Sequence, residues 1–384
     1  MIFEVRHVGF NNKGSTLMLQ AILQQIRKWN DSNIICADLK TGNFSRRSQL
    51  GMHHLLYAEF KKIPQFGKYF PKFAPIIPSN IRKRLMFILT SEVETIFDAS
   101  GFSYGDQWGN TFIADLLNYT EKCHLEGKKT ILLPQAFGPF NHPDNEENMK
   151  KVIECSDLIY ARDKKSYNYL LNLVGKSSKI RISPDFTNLV DGIPPKRNTL
   201  DYEKIACIVP NARMIDKTKT SNRKSYLNFL HRTCEYLSRK DYEILIIIHE
   251  NGDNLLGKEL TTNPKFSATI IMENDPRNIK GVIGRSSLLI GSRYHALVSS
   301  LSQGIPTIGT SWSHKYDALF DDYNCKQFLV TDINKNLDIE SLIGPLTDEH
   351  YRSAFIESLL EASNYQKKLS NNMWNEISGF LFDY

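Results

Sequence analysis

Short apolar runs alternate along this chain with longer stretches in which apolar side chains return every third or fourth position. That rhythm predicts strands and helices in βαβ order, and therefore parallel sheets. Residues 1–8 read as the first strand and residues 9–14 as a turn rich in Gly and Asn. Helix is expected from about Ser15, with Leu19, Ile22, Leu23, Ile26 and Trp29 on one face. Further strands are expected at 34–37, 95–99, 130–134, 158–161 and 181–183. Residues 191–197 carry two prolines and exposed charges without an apolar period, which marks a linker. A second series of strands follows at 205–209, 244–248, 268–272, 288–290, 307–308 and 328–330. The chain ends in helix from about Asp348 to Ile377, with Thr347 as N-cap and Tyr351, Phe355 and Leu359 on one face.

The expected organisation is a Rossmann-like domain over 1–192, a second over 200–340 and a helical segment over 345–384. Both domains belong to the α/β class with doubly wound sheets. Ligands of such sheets bind at the carboxyl ends of the strands, and the cleft between the domains is the expected site.

A chain of 384 residues exceeds one ordinary core, in keeping with two domains. Its 41% hydrophobic and 23% charged residues suit a globular fold. It has no apolar run of membrane-spanning length and no signal-peptide pattern at its start, so a cytoplasmic protein is expected. Six scattered cysteines without a Cys-x-x-Cys pair fit reduced thiols. The net charge of +6 suits a small anion or a membrane surface better than nucleic acid. Residues 60–89 sharpen that point. Lys61, Lys62, Lys68, Lys72, Arg82, Lys83 and Arg84 interleave with aromatic side chains and no acid. This suits peripheral contact with an anionic membrane at the inner face, or equally a solvated loop over the core.

The richest chemistry lies in Gly291-Ser292-Arg293-Tyr294-His295, followed by Gly304-Ile305-Pro306 and Ser313-His314-Lys315. A strand, a turn and a helix start bring a guanidinium and an imidazole to a position that already favours anions. Arginine supplies a planar fork for carboxylate or phosphate, and histidine a proton donor near neutral pH. A salt bridge at Arg293 and a locally satisfied His295 are the structural alternatives. The Gly-x-Arg-x-His turn, the Gly-x-Pro step and the downstream lysine together resemble the polysaccharide pyruvyl transferase family. Further turns extend the resemblance: Asn12-Lys13-Gly14-Ser15, the glycine-rich loop after Asp98, Gln135-Ala136-Phe137-Gly138-Pro139, Arg162-Asp163 with Ser166, and Pro184-Asp185. Ser15 stands where the family has an acidic or small residue.

This resemblance implies the two-Rossmann-domain architecture of GT-B glycosyltransferases, and transfer of pyruvate from phosphoenolpyruvate to sugar hydroxyls as a ketal. It places Arg293 and His295 at the donor as catalytic residues, with Lys315 beside them. Arg213, Ser292 and His249 are further donor-side candidates, because each follows a strand of the second domain. Asn12, Gly14, Ser15, Asp106 and Gln135 are acceptor-side candidates, though Ser15 as a plain helix cap explains that position equally well and a solvated loop acid is the commoner outcome for a residue placed like Asp106.

No cofactor is expected, since no Gly-x-Gly-x-x-Gly follows the first strand. Neither a His-Glu-x-x-His nor a cysteine ligand set implies a metal, and no Gly-x-Ser-x-Gly elbow implies a hydrolase. Two other functions remain open: a GT-B glycosyltransferase using a nucleotide sugar, and a non-catalytic anion- or glycan-binding module. The sequence also leaves open a homo-oligomer and a lipid-linked acceptor.

Overall fold

The computed structural model describes residues 1–56, 74–195, 204–216, 222–311, 313, 315–333 and 337–382. His314, the end of the expected linker at Lys196 and Arg197, and residues 60–73 of the basic stretch lie outside the described residues. The chain divides into two compact units, one of Met1–Phe10 and Met18–Pro184, the other of Asn11–Leu17 and Asp185–Tyr384. These boundaries differ from the expected ones in one consequential way. The seven residues Asn11–Leu17, expected in the first domain, are grouped with the second unit.

Among the described residues, the first unit holds an eight-stranded sheet in the order β4-β3-β2-β1-β5-β6-β7-β8. The strands are β1 (Ile2–Arg6), β2 (Ile34–Ala37), β3 (His53–Leu56), β4 (Phe87–Leu89), β5 (Thr95–Asp98), β6 (Lys129–Gln135), β7 (Leu158–Ala161) and β8 (Ile180–Ile182). Every neighbouring pair is parallel. The helices Thr111–Leu125, Pro143–Cys155 and Lys164–Val174 bury Ile113, Leu116, Met149, Val152, Ile153 and Leu170 in one cluster with Leu132 of β6 and Ile159 of β7. Strands β3 and β4 were not expected. They are short, stand at one side of the sheet, and carry His53 and His54 where a central strand would carry branched apolar residues.

The second unit's sheet has the order β11-β10-β9-β12-β13-β14, again parallel throughout. Its strands are β9 (Ile205–Val209), β10 (Glu243–Ile247), β11 (Ala268–Ile271), β12 (Leu288–Gly291), β13 (Thr307–Thr310) and β14 (Leu329–Val330). Both β9 and β12 are buried along their whole length, which explains their unbroken apolar runs. The chain closes with the helices Ile339–Thr347 and Glu349–Phe382. Asp348 rather than Thr347 caps the last helix, its Oδ1 accepting from the Tyr351 N–H at 2.9 Å. That helix joins the unit's core through Phe355, Leu359 and Ala362, and sets Trp374 edge-on against Phe186.

In each sheet the strand order reverses direction once at the centre, between β1 and β5 and between β9 and β12. Those reversals leave room at the carboxyl ends of the two central strands, where adjacent connections depart to opposite sides.

Candidate functional site

In the second unit the residues following β9 and β12 meet at such a reversal. Val209 pairs with Gly291, so both strands end at one edge. The helix Tyr294–Leu301 begins three residues past Gly291 with Arg293 in its cap position, and no side chain caps it. First-turn N–H groups and the helix dipole therefore favour an anion there.

Arg293 differs from its expected role. Its side chain is only 9% exposed. Nε donates to Asp253 Oδ2 at 2.8 Å, Nη2 donates to Asp253 Oδ1, and Nη1 donates to Glu250. Burial alone would lower its pKa, and the two carboxylates raise it above its ordinary value. Arg293 is thus a permanent cation whose planar fork is already engaged by a matching carboxylate. The structure makes it an anchor: it fixes Asp253 and Glu250 and pins the start of its helix. Asp253 also accepts from the backbone N–H groups of Ala212 and Glu250.

Ser292, expected at the donor, is turned into the interior. Its hydroxyl meets Thr310 and, at 2.8 Å, the Tyr226 hydroxyl. Its carbonyl accepts from Asn211 Nδ2 and the Tyr316 hydroxyl. The pleat accounts for this, because successive side chains leaving β12 point to opposite faces.

His295 occupies the first turn of the helix. Its Nε2 lies 3.3 Å from Asp185 Oδ2, an ion-pair distance without hydrogen-bond alignment, and that nitrogen has no hydrogen-bond partner. Asp185 is itself steadied by the N–H and hydroxyl of Thr187. On the other side the ring rests on Gly14, where a Cβ would fall 2.2 Å from Nδ1. Any side chain at position 14 would displace the imidazole, which is the physical reason for glycine there.

Residues Asn11–Leu17 reach this edge by pairing with His249 and Glu250, just past the end of β10. Asn12 forms an antiparallel bridge with Glu250, and the Lys13 N–H donates to the His249 carbonyl at 3.1 Å. The first helix runs Lys13–Trp29, two residues earlier than expected. Asn12, not Ser15, caps it: Asn12 Oδ1 accepts from the N–H of Gly14 at 2.9 Å and of Ser15 at 3.3 Å. Gly14 therefore stands beside His295 and Asn12 beside Glu250, and all of Asn11–Leu17, Ser15 included, is grouped with the second unit.

His249 is buried, and its Nδ1 has no hydrogen-bond partner. Burial first, then the charges of Arg293, His295 and Lys13, hold its pKa well below the ordinary value, so the ring is neutral at physiological pH. Two unpartnered imidazole nitrogens thus share one edge with two helix starts. Lys315 opens the helix Lys315–Asp322, its Nζ 5.4 Å from the centre of the Tyr294 ring. Arg213 opens a short helix after β9, its N–H donating to Asn211 Oδ1. Both stand at the carboxyl edge of the sheet. The expectation that Arg213 shares a rim with Arg293 holds, because β9 and β12 run parallel.

In the first unit, Asp106 is half-buried and its carboxylate is engaged by neighbours. It accepts from the N–H of Asn141 at 2.6 Å and from Asn145 Nδ2 at 2.8 Å, and so ties two loops together. Gln135 is fully buried, donates to Asp98 Oδ1 at 3.3 Å and accepts from the Ser100 hydroxyl. Asp163 caps the helix Lys164–Val174 through Ser166, whose hydroxyl accepts from the Phe137 N–H. Asp185, Glu250 and Asp253 are the site residues that motif reading undervalued. Pro184-Asp185 and His249-Glu250 were visible as strand-end turns, but their partners lie far away in sequence. No group of three or more metal-ligating side chains occurs among the described residues. No helix among them is long and apolar enough to cross a membrane.

Two parallel α/β units with ligand-type residues at the central reversals define a GT-B-like protein, and solved structures agree. The chain is similar over its whole length to Anabaena HepE in complex with UDP and glucose (11% identity, 99% of that chain, TM-score 0.57). It is also similar to a putative UDP-N-acetylglucosamine 2-epimerase from Listeria monocytogenes (11% identity, 100% of this chain and 97% of that one, TM-score 0.60). A glycosyltransferase from Rickettsia africae is similar at 15% identity, covering 100% of this chain and 99% of that one, with a TM-score of 0.55. Such distant likenesses establish the fold. No curated protein matches the chain. The family model described as polysaccharide pyruvyl transferase matches residues 12–314, and the chain belongs to that family of transferases.

Proposed function

We propose that this protein transfers the pyruvyl group of phosphoenolpyruvate to two hydroxyls of a sugar, free or lipid-linked, forming a cyclic ketal in the synthesis of a cell-surface or exported polysaccharide. One observation carries the reading. His295 sits at an uncapped helix start between Asp185 and Gly14, with Nε2 unpartnered, beside a neutral His249 whose Nδ1 is also unpartnered. Such an edge suits a small dianion that must receive a proton.

In this proposal Lys315, Arg213 and the first-turn N–H groups hold the carboxylate and phosphate of the donor. His295 gives a proton to the methylene carbon as general acid, which leaves the central carbon electron-poor. An acceptor hydroxyl bonds to that carbon, phosphate leaves with the electrons of its C–O bond, and a second hydroxyl closes the ring. Neutral His249 contributes a hydrogen bond without repelling the imidazolium. Arg293 acts indirectly, by fixing Asp253, Glu250 and the helix start.

The test incubates the protein with a panel of sugar acceptors and either phosphoenolpyruvate or UDP-sugars. Acceptor-dependent phosphate release and a ketal methyl resonance by NMR are the expected results. His295→Gln should lower turnover by about 10²-fold or more. UDP release in place of phosphate release would replace this function with glycosyl transfer.

A further inference from the structure

The basic stretch has no part in the donor-side chemistry, yet the first unit displays both of its described ends. Residues 39–91 carry ten Lys and Arg against a single acid, Glu59, a formal charge of +9. With +6 for the whole chain, everything outside that stretch sums to −3. Residues 39–56 and 74–91 alone hold six of the ten cations and no Asp or Glu. Positive charge is therefore concentrated around strands β3 and β4, at one side of the sheet.

Two of these six cations face inward and act as fasteners. Arg47 is buried and donates to the Ala37 carbonyl at the end of β2. Arg82, in the helix Ser79–Arg84, is buried and forked on Glu92, with Nη1 and Nη2 donating at 2.5 Å and 3.1 Å. Its Nε donates to the Ile77 carbonyl at 3.0 Å. Glu92 also accepts from the Leu89 N–H at 2.9 Å, so the fork ties this helix to the end of β4. Burial pushes the Glu92 carboxyl up, but the Arg82 and Leu89 bonds bring it below its ordinary value, and the fork persists near neutral pH. The other four cations stay at the surface: Lys40, Arg46 and Arg84 are exposed and Lys83 is half-buried. None of the four makes a salt bridge among the described residues.

The apolar side chains of the same two segments are left outside. Leu39, Phe44, Ile76, Ile81 and Leu85 keep between 46% and 76% of their surface exposed. Ile81 and Leu85 stand one helical turn apart on one side, and Arg84 neighbours Ile81 three residues on. Phe44 opens the helix Phe44–Gln49, its ring stacked 3.8 Å from that of His54 and 6.2 Å from that of Phe87. Phe87 follows Leu85 by two residues, so the two segments meet at the start of β4. A solvated loop over the core would turn its isoleucines and leucines in and its arginines out. Here Arg47 and Arg82 are inside, and the five apolar chains are in water.

We infer that these two short helices, with the residues leading into them, form a docking surface for an anionic lipid membrane. The four surface cations meet lipid phosphates, and the five apolar chains enter the boundary between headgroups and acyl chains. Lipid is favoured over nucleic acid because four of the five exposed apolar chains are aliphatic, and only flat rings stack on bases. The contact is peripheral, since no helix among the described residues is long and apolar enough to cross a membrane. The surface lies within the first unit and does not depend on the proposed transfer chemistry.

Sedimentation of the full chain with vesicles tests it. The wild type should pellet with vesicles of phosphatidylcholine and phosphatidylglycerol, stay in solution with phosphatidylcholine alone, and be released by added salt. Lys40→Gln, Arg46→Gln and Arg84→Gln combined should weaken partition by about 10²-fold, at about fivefold for each charge removed. Ile76→Ser, Ile81→Ser and Leu85→Ser combined should weaken it at least about tenfold. Both variants change exposed side chains and should melt with the wild type. If the triple serine variant melts early, Ile76→Ser alone carries the test, with a loss of about threefold or more. A wild type that ignores anionic vesicles, or a folded charge or apolar variant that sediments like it, overturns the proposal. Retention on an immobilised nucleic acid that anionic vesicles fail to displace overturns it as well.

Discussion

Arg293→Ala separates an anchor from a donor grip. The substitution removes two charge-assisted bonds to Asp253 and one to Glu250. Glu250, 27% exposed at the side chain, can turn toward water. Asp253 cannot, being 0% exposed, and it keeps only the N–H groups of Ala212 at 2.9 Å and Glu250 at 3.2 Å. Removing one partner of a buried pair costs about 3 to 5 kcal/mol, and those two surviving bonds put this case near about 3 kcal/mol. That is a factor of roughly 10² in the folded population. Native-state hydrogen exchange at the amides of β9, β10 and β12 reads it directly, as faster exchange of strands that open only with the whole core. The double variant Arg293→Met with Asp253→Leu should recover most of the loss, since apolar packing can replace a buried pair at little cost. Unchanged exchange in Arg293→Ala, joined to a KM for phosphoenolpyruvate raised about 10²-fold, would refute the anchor and restore a direct hold on the donor.

Two other perturbations follow from the same geometry. Gly14→Ala improves helix propensity by about 1 kcal/mol, yet its Cβ would fall 2.2 Å from His295 Nδ1. Turnover should drop at least about tenfold with little change in melting temperature, and full turnover would show that the ring's seat is dispensable. Lys280 is buried, donates to the Thr187 carbonyl at 2.9 Å, and is lowered to about 7 by burial and then by Lys367. Its unfolded counterpart stays protonated up to about 10.4, so stability should rise with pH between about 7 and 10.4, by roughly 5 kcal/mol in all. Lys280→Met should flatten that rise in urea titrations at several pH values, and a slope identical to the wild type's would sink the argument.

The central strands were legible because burial on both faces leaves no alternation to confuse with a helix. Ile205–Val209 and Leu158–Ala161 were read with the bounds they have. Strands β3 and β4 were not, because HHLL opens with two histidines and FIL is only three residues long. The pairing of Arg293 and His295 at one helix start was also visible, since local chain geometry alone brings them there. Their partners were not. Asp253, Asp185 and Gly14 come from three distant segments, and only tertiary structure decides whether a guanidinium meets a ligand or a carboxylate. Ser292 was misread because following a strand does not decide a side chain's direction, and the pleat turns this hydroxyl inward.

Neither half of this molecule is one uninterrupted piece of polypeptide, because Asn11–Leu17 is grouped with everything after Pro184. A fragment beginning at Asp185 would leave the His249 carbonyl and the Glu250 edge bare where Lys13 and Asn12 now bond, and would take the floor from under His295. Dissection by a single cut therefore yields no faithful half, and neither would a chimera joined at the proline-rich stretch alone. Any exchange of the carboxyl-terminal half between relatives has to carry this small amino-terminal insert along with it, which ties the evolution of two remote stretches of gene to each other.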